Sequence, residues 1–445
     1  MDLKNRKIGI IGYSRTGRAT AEFVAKNGGI VKVSELSETN ELREELLNKG
    51  YEFELGKNSP EFLSDCDLII ISPGVSSESD FVRELENRGK DIISEIEFAS
   101  RFIKGKIIGI TGSNGKSTVT SMIYHILKSA GKSSTIAGNI GVPLINFVED
   151  NSDYFVVELS SFQLEKIKDF KPFISVLLNI TPDHLDRYPS FEEYALAKFN
   201  IFRNQNDSDF AILNSEDEFT NKNSEKINAE KIYFSISGSK SDIYLSQNEI
   251  FFKGEKIMRV SEIPLLGIHN VENTMASIGA AMVIGIEPAK IREAVISFKG
   301  LEHRTELCGE IKGIKFINDS KATNIDATFK ALLSFSSPLI LILGGKDKGG
   351  DFTKLNKLIK EKVKKLILIG AAREKIKKQL NRSIDFVEVE TMRDAVYRGY
   401  EFADRGDIVI LSPACASFDM YENFEERGKD FKKIVEELKR EVENG

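Results

Sequence analysis

Cysteine is scarce: the 445 residues contain three, Cys66, Cys308 and Cys415, far apart and odd in number. That argues against a disulfide framework and against a cysteine-rich zinc site, so the three read as reduced thiols. Long apolar runs are also missing. No stretch reaches the roughly 18 residues of a membrane span, and the longest candidates, "DLIIIS" and "PLILILGG", read as buried strands. Nor is there an excess of positive charge. Lys and Arg number 62 against 68 Asp and Glu, a formal net charge of −6, so no nucleic-acid partner is expected. The basic run "KEKVKKLILIG" reads as a solvated helix face. Met1 is followed by "DLKNRK" and a strand-like run, without the apolar segment and cleavage site of a secretory signal. A cytoplasmic location without membrane association is therefore expected.

What is present is the composition of a globular protein, 41% apolar and 29% charged, long enough for about three domains of ~150 residues. The chain repeatedly passes from an apolar strand to a glycine-rich or polar turn and then to a helical pattern, which predicts a mainly parallel α/β fold. Three blocks are expected: 1–96, opening on "KIGIIGYSRTGRAT"; 97–301, opening near "KIIGITGSNGKST"; and 302–445, opening on "EHRTELCGEIKGIKF". The polar segment from about Asn221 to Lys256 reads as small strands and turns attached to the middle block.

The middle block holds the strongest motif, "IIGITGSNGKSTVT" at 107–120. Backbone N–H groups freed by such a turn, with the positive end of the following helix, make an anion cradle. Gly112 and Gly115 allow close approach of the backbone, Lys116 suits the β/γ-phosphates and Ser117 a divalent cation. The strict pattern G-x-x-x-x-G-K-[ST] has glycine where this chain has Ile110. The loop predicts nucleotide binding and by itself fits a kinase, an ATPase or a ligase alike. Glu158 follows the apolar "YFVV" and could hold a metal or be a solvated strand-end carboxylate. Asp183 and His184 follow another strand, and Lys198 in "ALAKF" reads locally as an ordinary helix lysine. In the first block Gly12 and Gly17 invite a dinucleotide reading. Ser14 stands where the central glycine would let a pyrophosphate approach, which argues against NAD.

Taken in order, "GITGSNGKST", "VVELSSFQLE", "NITPDHLDRY", "ALAKFNIF", "GIHNVENTMAS", "LEHRTE", "NDSKATN" and "LSPACASFDMYENFEERG" resemble the Mur ligase family, over all three blocks. The resemblance implies an N-terminal Rossmann-like domain, a central P-loop ATPase-type domain with helices on both faces of its sheet, and a C-terminal Rossmann-like domain. It implies an ATP- and Mg²⁺-dependent amide ligase that activates a carboxylate as an acyl phosphate. The short N-terminal block and "GGKDKGGDF" imply UDP-N-acetylmuramoyl-L-alanine and D-glutamate as substrates.

Carried over by motif, Gly112, Ser113, Asn114, Gly115, Lys116, Ser117, Thr118, Asn270, Asn273, Arg304 and Asp319 are implied for ATP. Ser117, Glu158, His184 and Lys198 are implied for magnesium, Lys198 as a carbamate formed with CO₂; Lys116, His184, Lys198 and Lys321 are the implied catalytic set. Ser14, Arg15, Thr16, Glu35, Ser72, Pro73, Gly74, Asn139 and Gln163 are implied for the UDP substrate. Thr323, Lys348, Ser417 and Phe424 are implied for D-glutamate; Lys346 is a second candidate cation beside Lys348. A monomer with a hinge near Lys299–His303 is expected. Rival readings are a family member with another amino acid, a folylpolyglutamate synthase-like ligase, a P-loop kinase and a nucleotide-dependent oxidoreductase. The sequence has no "DNPR"-type motif of the diamino-acid-adding member.

Overall fold

The computed structural model describes residues 1–184, 187–238, 241–265, 267–335, 337–380 and 385–444; Leu185 and Asp186 of the "NITPDHLDRY" motif lie outside them. The apolar runs become strands buried on both faces, the pattern of parallel sheets covered by helices. β1 (Lys7–Ile11), β2 (Ile30–Glu35), β3 (Glu52–Leu55), β4 (Leu68–Ile71) and β5 (Ile92–Ser94) form an all-parallel sheet of order β3-β2-β1-β4-β5. Its register sets Ile10 between Val33 and Ile70.

A second sheet has nine strands: β6 (Lys106–Thr111), β7 (Ser134–Gly138), β8 (Tyr154–Glu158), β9 (Ile174–Leu177), β10 (Phe210–Asn214), β11 (Glu230–Ser235), β12 (Ile243–Ser246), β13 (Glu249–Phe252) and β14 (Glu255–Arg259). Their order is β14-β13-β12-β11-β10-β9-β6-β8-β7, with β12-β13-β14 antiparallel and the rest parallel. The polar segment after Asn221 thus extends the middle sheet with short strands. A third sheet runs β15-β16-β20-β17-β18-β19, from β15 (Glu306–Ile311), β16 (Ile314–Asn318), β17 (Leu339–Gly344), β18 (Val363–Ile369), β19 (Phe386–Glu388) and β20 (Ile408–Leu411). Only its β15–β16 pair is antiparallel.

The chain divides into two compact units: Met1–Glu262 with Glu272–Ile296, and Ile263–Val271 with Ser297–Gly445. The first unit carries the first two sheets, joined through the helix Glu95–Ser100. Its Glu97, fully buried, accepts the backbone N–H groups of Lys168, Asp169 and Phe170 at 2.9, 2.9 and 2.7 Å and pairs with Arg101. Glu95, also buried, accepts the N–H of Ile145 at 2.8 Å; burial pushes its carboxyl up to about 7, against those backbone donors. One apolar core runs from Ile8, Ile10 and Val24 through Phe98 to Phe155 and Leu164. Among the described residues, no helix is long and apolar enough to cross a membrane.

Candidate active site

Strand β6 buries Ile107–Ile110 and ends at Thr111, after which the chain turns through Gly112 and Gly115 into the helix Lys116–Ser129. Ile110 is fully buried within β6, in register with Glu158 and Val176. The turn begins after it, so a glycine there has no turn to serve. Gly115 adopts φ +88°, and a Cβ on it would lie 2.3 Å from Asn273 Oδ1, which excludes a side chain on two grounds. Ser113 donates its N–H to Asn179 O at 2.8 Å, and its hydroxyl donates to Thr181 O at 2.9 Å and meets the Tyr194 hydroxyl at 3.0 Å. The Asn114 N–H donates to Asn179 Oδ1 at 2.9 Å. These two residues therefore brace the loop against the chain leaving β9. Lys116 Nζ donates to the carbonyls of Gly112 and Ser113 at 2.7 and 2.9 Å, which keeps the ammonium over its own loop. Ser117 and Thr118 occupy the buried first turn of the helix.

Glu158 ends β8 with its side chain turned into the protein, 2% exposed. Its Oε1 accepts the Asn139 amide at 2.7 Å, and its carbonyl accepts the Asn139 N–H at 2.9 Å. Its Oε2 is buried and has no hydrogen-bond partner among the described residues. An orphaned carboxylate oxygen is costly and calls for a cation. Lys198, on the helix Phe191–Phe199, is equally buried. Burial first, then the charge of Lys116, hold its pKa well below the ordinary 10.5, while Asp183 and Glu158 pull the other way. Its Nζ lies 4.7 Å from the centre of the Tyr194 ring. His184 takes a left-handed backbone, φ +54°, and its ring packs edge-on to Phe162 at 4.9 Å and 6.2 Å from Tyr194. The loop, His184 and Lys198 thus meet around Tyr194, which sequence reasoning had passed over.

This donor set fits a hard divalent cation. Glu158 Oε2 has no donor among the described residues, and burial with the charge of Lys116 disfavours the ammonium form of Lys198. Among the described residues, no group of three or more His, Cys, Asp or Glu side chains forms a metal cage. Mg²⁺ held by one or two carboxylates plus phosphate oxygens and waters needs none.

The N-terminal sheet places Ser14 and Arg15, both exposed, at the start of the helix Arg15–Lys26, with Thr16 half-buried. Glu35 spends its carboxylate on the loop backbone, accepting the N–H groups of Tyr13 at 2.6 Å and Ser37 at 2.8 Å. The Ser72 hydroxyl donates to Gly12 O at 2.7 Å, and a Cβ on Gly17 would meet that same oxygen at 2.0 Å. The "SPG" turn and the glycine loop are therefore one packed structure. Gln163 is buried and closes a capping box with Ser160, accepting from its N–H at 3.0 Å, so its carbonyl serves the helix Ser161–Glu165.

In the second unit Asp319 is buried at the end of β16, accepting the Thr305 N–H at 3.1 Å and the Ser412 hydroxyl at 2.9 Å. Burial pushes its carboxyl up to about 7 against those bonds and the charge of Arg304. Lys321 Nζ stands 3.6 Å from the centre of the Phe424 ring. Ser417 is buried, while Lys346 and Lys348 are both exposed, so burial does not choose between the lysines. Thr323 lies on the loop after Lys321, half-buried. Arg427, 3% exposed, was missed: it donates to Ser320 Oγ at 2.9 Å, Ser320 O at 2.8 Å and Cys415 O at 3.2 Å, tying two of these loops together. Asn270 and Asn273 lie three residues apart on the helix Ile268–Ile284, both buried.

Three family models match the chain in order: the Mur ligase MurD-like N-terminal domain over residues 6–94, the Mur ligase middle domain over 110–281, and the Mur ligase glutamate ligase domain over 303–415. A UDP-N-acetylmuramoylalanine--D-glutamate ligase of Koribacter versatilis is 43% identical, over 98% of this chain and 99% of its own. The protein of the same name from Clostridioides difficile is 42% identical over 99% and 100%. Among solved structures, the MurF ligase of Thermotoga maritima in complex with ADP shares the fold with TM-score 0.62 at 16% identity, over 98% of this chain and 96% of that one. With sheets, loops and motifs matched from end to end, the chain belongs to the Mur ligase family.

Proposed function

We propose that this protein is an ATP-dependent ligase that joins the amino group of D-glutamate to the alanyl carboxylate of UDP-N-acetylmuramoyl-L-alanine, a step of peptidoglycan precursor synthesis. The observation that carries it is a buried Glu158 oxygen without a hydrogen-bond partner among the described residues, together with a buried Lys198 whose ammonium form is disfavoured by burial and by Lys116 of the phosphate loop. The relatives' names supply the two substrates.

A carboxylate is a poor electrophile. Its oxygen attacks the γ-phosphorus of ATP, the bond to ADP breaks, and an acyl phosphate results. The amine nitrogen then attacks the acyl carbon, phosphate leaves and a proton is lost. Two anions must approach in the first step, so positive charge at the loop is needed; Lys116 supplies it on the γ-phosphoryl group. Mg²⁺, when bound, neutralises phosphoryl oxygens. Ser117 and Glu158 would hold one ion, and His184 and Lys198 the other. Lys198 becomes a ligand when its Nζ lone pair forms a C–N bond to CO₂ and the nitrogen loses a proton, leaving a carbamate.

Thr118 and the rest of Gly112–Ser117, with Asn270, Asn273, Arg304 and Asp319, are assigned to ATP. Ser14, Arg15, Thr16, Glu35, Ser72, Pro73, Gly74, Asn139 and Gln163 are assigned to the UDP substrate, Glu35 and Gln163 by shaping the backbone. Thr323, Lys348, Ser417 and Phe424 are assigned to D-glutamate and Lys321 to the reacting groups. The domains run 1–96, 97–301 and 302–445, and the protein works as a cytoplasmic monomer. The test is phosphate release with ATP, Mg²⁺, UDP-N-acetylmuramoyl-L-alanine and one amino acid at a time. D-glutamate alone should support turnover; turnover with L-alanine or a diamino acid and none with D-glutamate would remove this substrate assignment.

A further inference from the structure

Arg187 belongs to no role assigned above, yet it bonds the turn that carries Ser72, Pro73 and Gly74. Its Nη1 donates to the carbonyl of Pro73 at 2.8 Å and its Nη2 to that of Val75 at 2.9 Å, which fixes the turn Ser72–Val75 of the N-terminal sheet. The same guanidinium pairs with Glu165 at 3.3 Å and lies 3.8 Å from the centre of the Phe162 ring. Both charged side chains are largely buried, 16% and 12% exposed, so the pair is poorly screened.

Glu165 in turn accepts the Ser77 hydroxyl at 2.6 Å, from the segment following that turn, and the Tyr188 hydroxyl. Phe162, under the guanidinium, is the ring against which His184 packs at 4.9 Å, and it stacks on Tyr188 at 5.9 Å. Tyr188 packs on Tyr194 at 5.4 Å, and Tyr194 carries the loop's Ser113 and the amine of Lys198. One planar cation therefore connects the backbone of the "SPG" turn to the walls that hold His184 and Lys198.

We infer that Arg187 is a positioning residue that sets the UDP-substrate turn at Ser72–Val75 in register with His184, an inference that rests on the function proposed above. A planar fork is required, because two carbonyls, a carboxylate and a ring face are engaged at once; a lysine ammonium has one nitrogen for all four. Loss of the fork should loosen the turn and cost affinity for the substrate held there, without touching the amino-acid loops of the second unit.

Two measurements on the full chain test this. Hydrogen exchange of the substrate-free Arg187→Ala protein should speed up about tenfold at residues 72–79, with the helix Lys116–Ser129 unchanged. In steady state, the KM for UDP-N-acetylmuramoyl-L-alanine should rise about tenfold while that for D-glutamate stays within about twofold. If Arg187→Ala does not yield folded protein, Arg187→Lys, which keeps a cation near Phe162, reads the same two quantities. Unchanged exchange at 72–79, or equal rises in both KM values, overturns the inference. A wild-type chain without D-glutamate-dependent turnover rejects the functional reading only, and the exchange experiment still decides the role of Arg187.

Discussion

Lys198 shows how one side chain can be read in opposite ways from sequence and from surroundings. In "ALAKF" it reads as an ordinary helix lysine; in the fold it is 2% exposed, with Lys116 as the charge that most opposes its protonation after burial itself. An ammonium is disfavoured there, and a neutral amine is the nucleophile CO₂ requires. Lys198→Ala should therefore lower product formation by at least about 10²-fold, with ATP affinity largely kept. Carbon-13 NMR with labelled bicarbonate should show a carbamate signal in the wild type and none in the variant; full turnover in the variant would dismiss the residue. Asp319 offers a second test, through stability. Its carboxyl is pushed up to about 7 by burial, from an ordinary 3.8. Between those values the native state binds more protons than the unfolded chain, so the group's contribution is full below 3.8 and is lost as pH rises through about 7. Asp319→Asn cannot ionise. The stability of this variant relative to wild type should climb from about pH 4 to pH 7 by up to about 4 kcal/mol and then level off, measured by urea unfolding; a difference flat in pH would show that Asp319 carries no such penalty.

At the scale of elements, the turn from β6 into the helix Lys116–Ser129 depends on one glycine. Gly115→Ala places a methyl group against Asn273 Oδ1 in a left-handed backbone. Gly131, just beyond the far end of that helix at φ +73°, has open space for 4 Å around the place a Cβ would take. Gly115→Ala and Gly131→Ala should both cost stability, by about 1 kcal/mol or more from the backbone alone. Only Gly115→Ala should weaken ATP binding, by about tenfold or more by calorimetry; equal affinities would mean the loop geometry is not what binds the nucleotide. This element was legible because strand, glycines, lysine and helix are adjacent in sequence, and Glu158 was legible because it ends an apolar run. Arg187 was not, although it sits inside a quoted motif: the carbonyls it holds lie more than a hundred residues earlier. Arg427 is hidden the same way, its partner Ser320 being 107 residues away. Glu95 and Glu97 left a faint mark, two acids inside the apolar "IISEIEF", a pattern that a solvated helix does not need. Local pattern finds groups that touch ligand through their own loop. Groups that act by holding distant backbone in place emerge only once the chain is folded.

For the whole molecule, the two units should answer heat separately. The first two sheets share an apolar core and are pinned by Glu97 on three backbone N–H groups, so they should melt as one cooperative block; the third sheet has its own cores on both faces and belongs to the other unit. A chain built this way is not expected to follow a single two-state transition. Calorimetry should show two, and a nucleotide, whose phosphates lie on the first unit's loop, should raise the one that belongs to the first unit by more than the other. A ligand at a hundredfold excess over its Kd adds about 2.7 kcal/mol, a shift of roughly 5 °C for a unit of this size. Glu97→Gln keeps one acceptor oxygen in place of two, so its amide N–H groups must face either the donors of Lys168, Asp169 and Phe170 or the guanidinium of Arg101. It should lower that same transition, leave the other in place, and split the first block so that residues 1–94 exchange their amides ahead of β6 and β8. A single transition that nucleotide moves as a whole, with exchange of the third sheet slowed as much as that of the second, would mean that the two units fold as one.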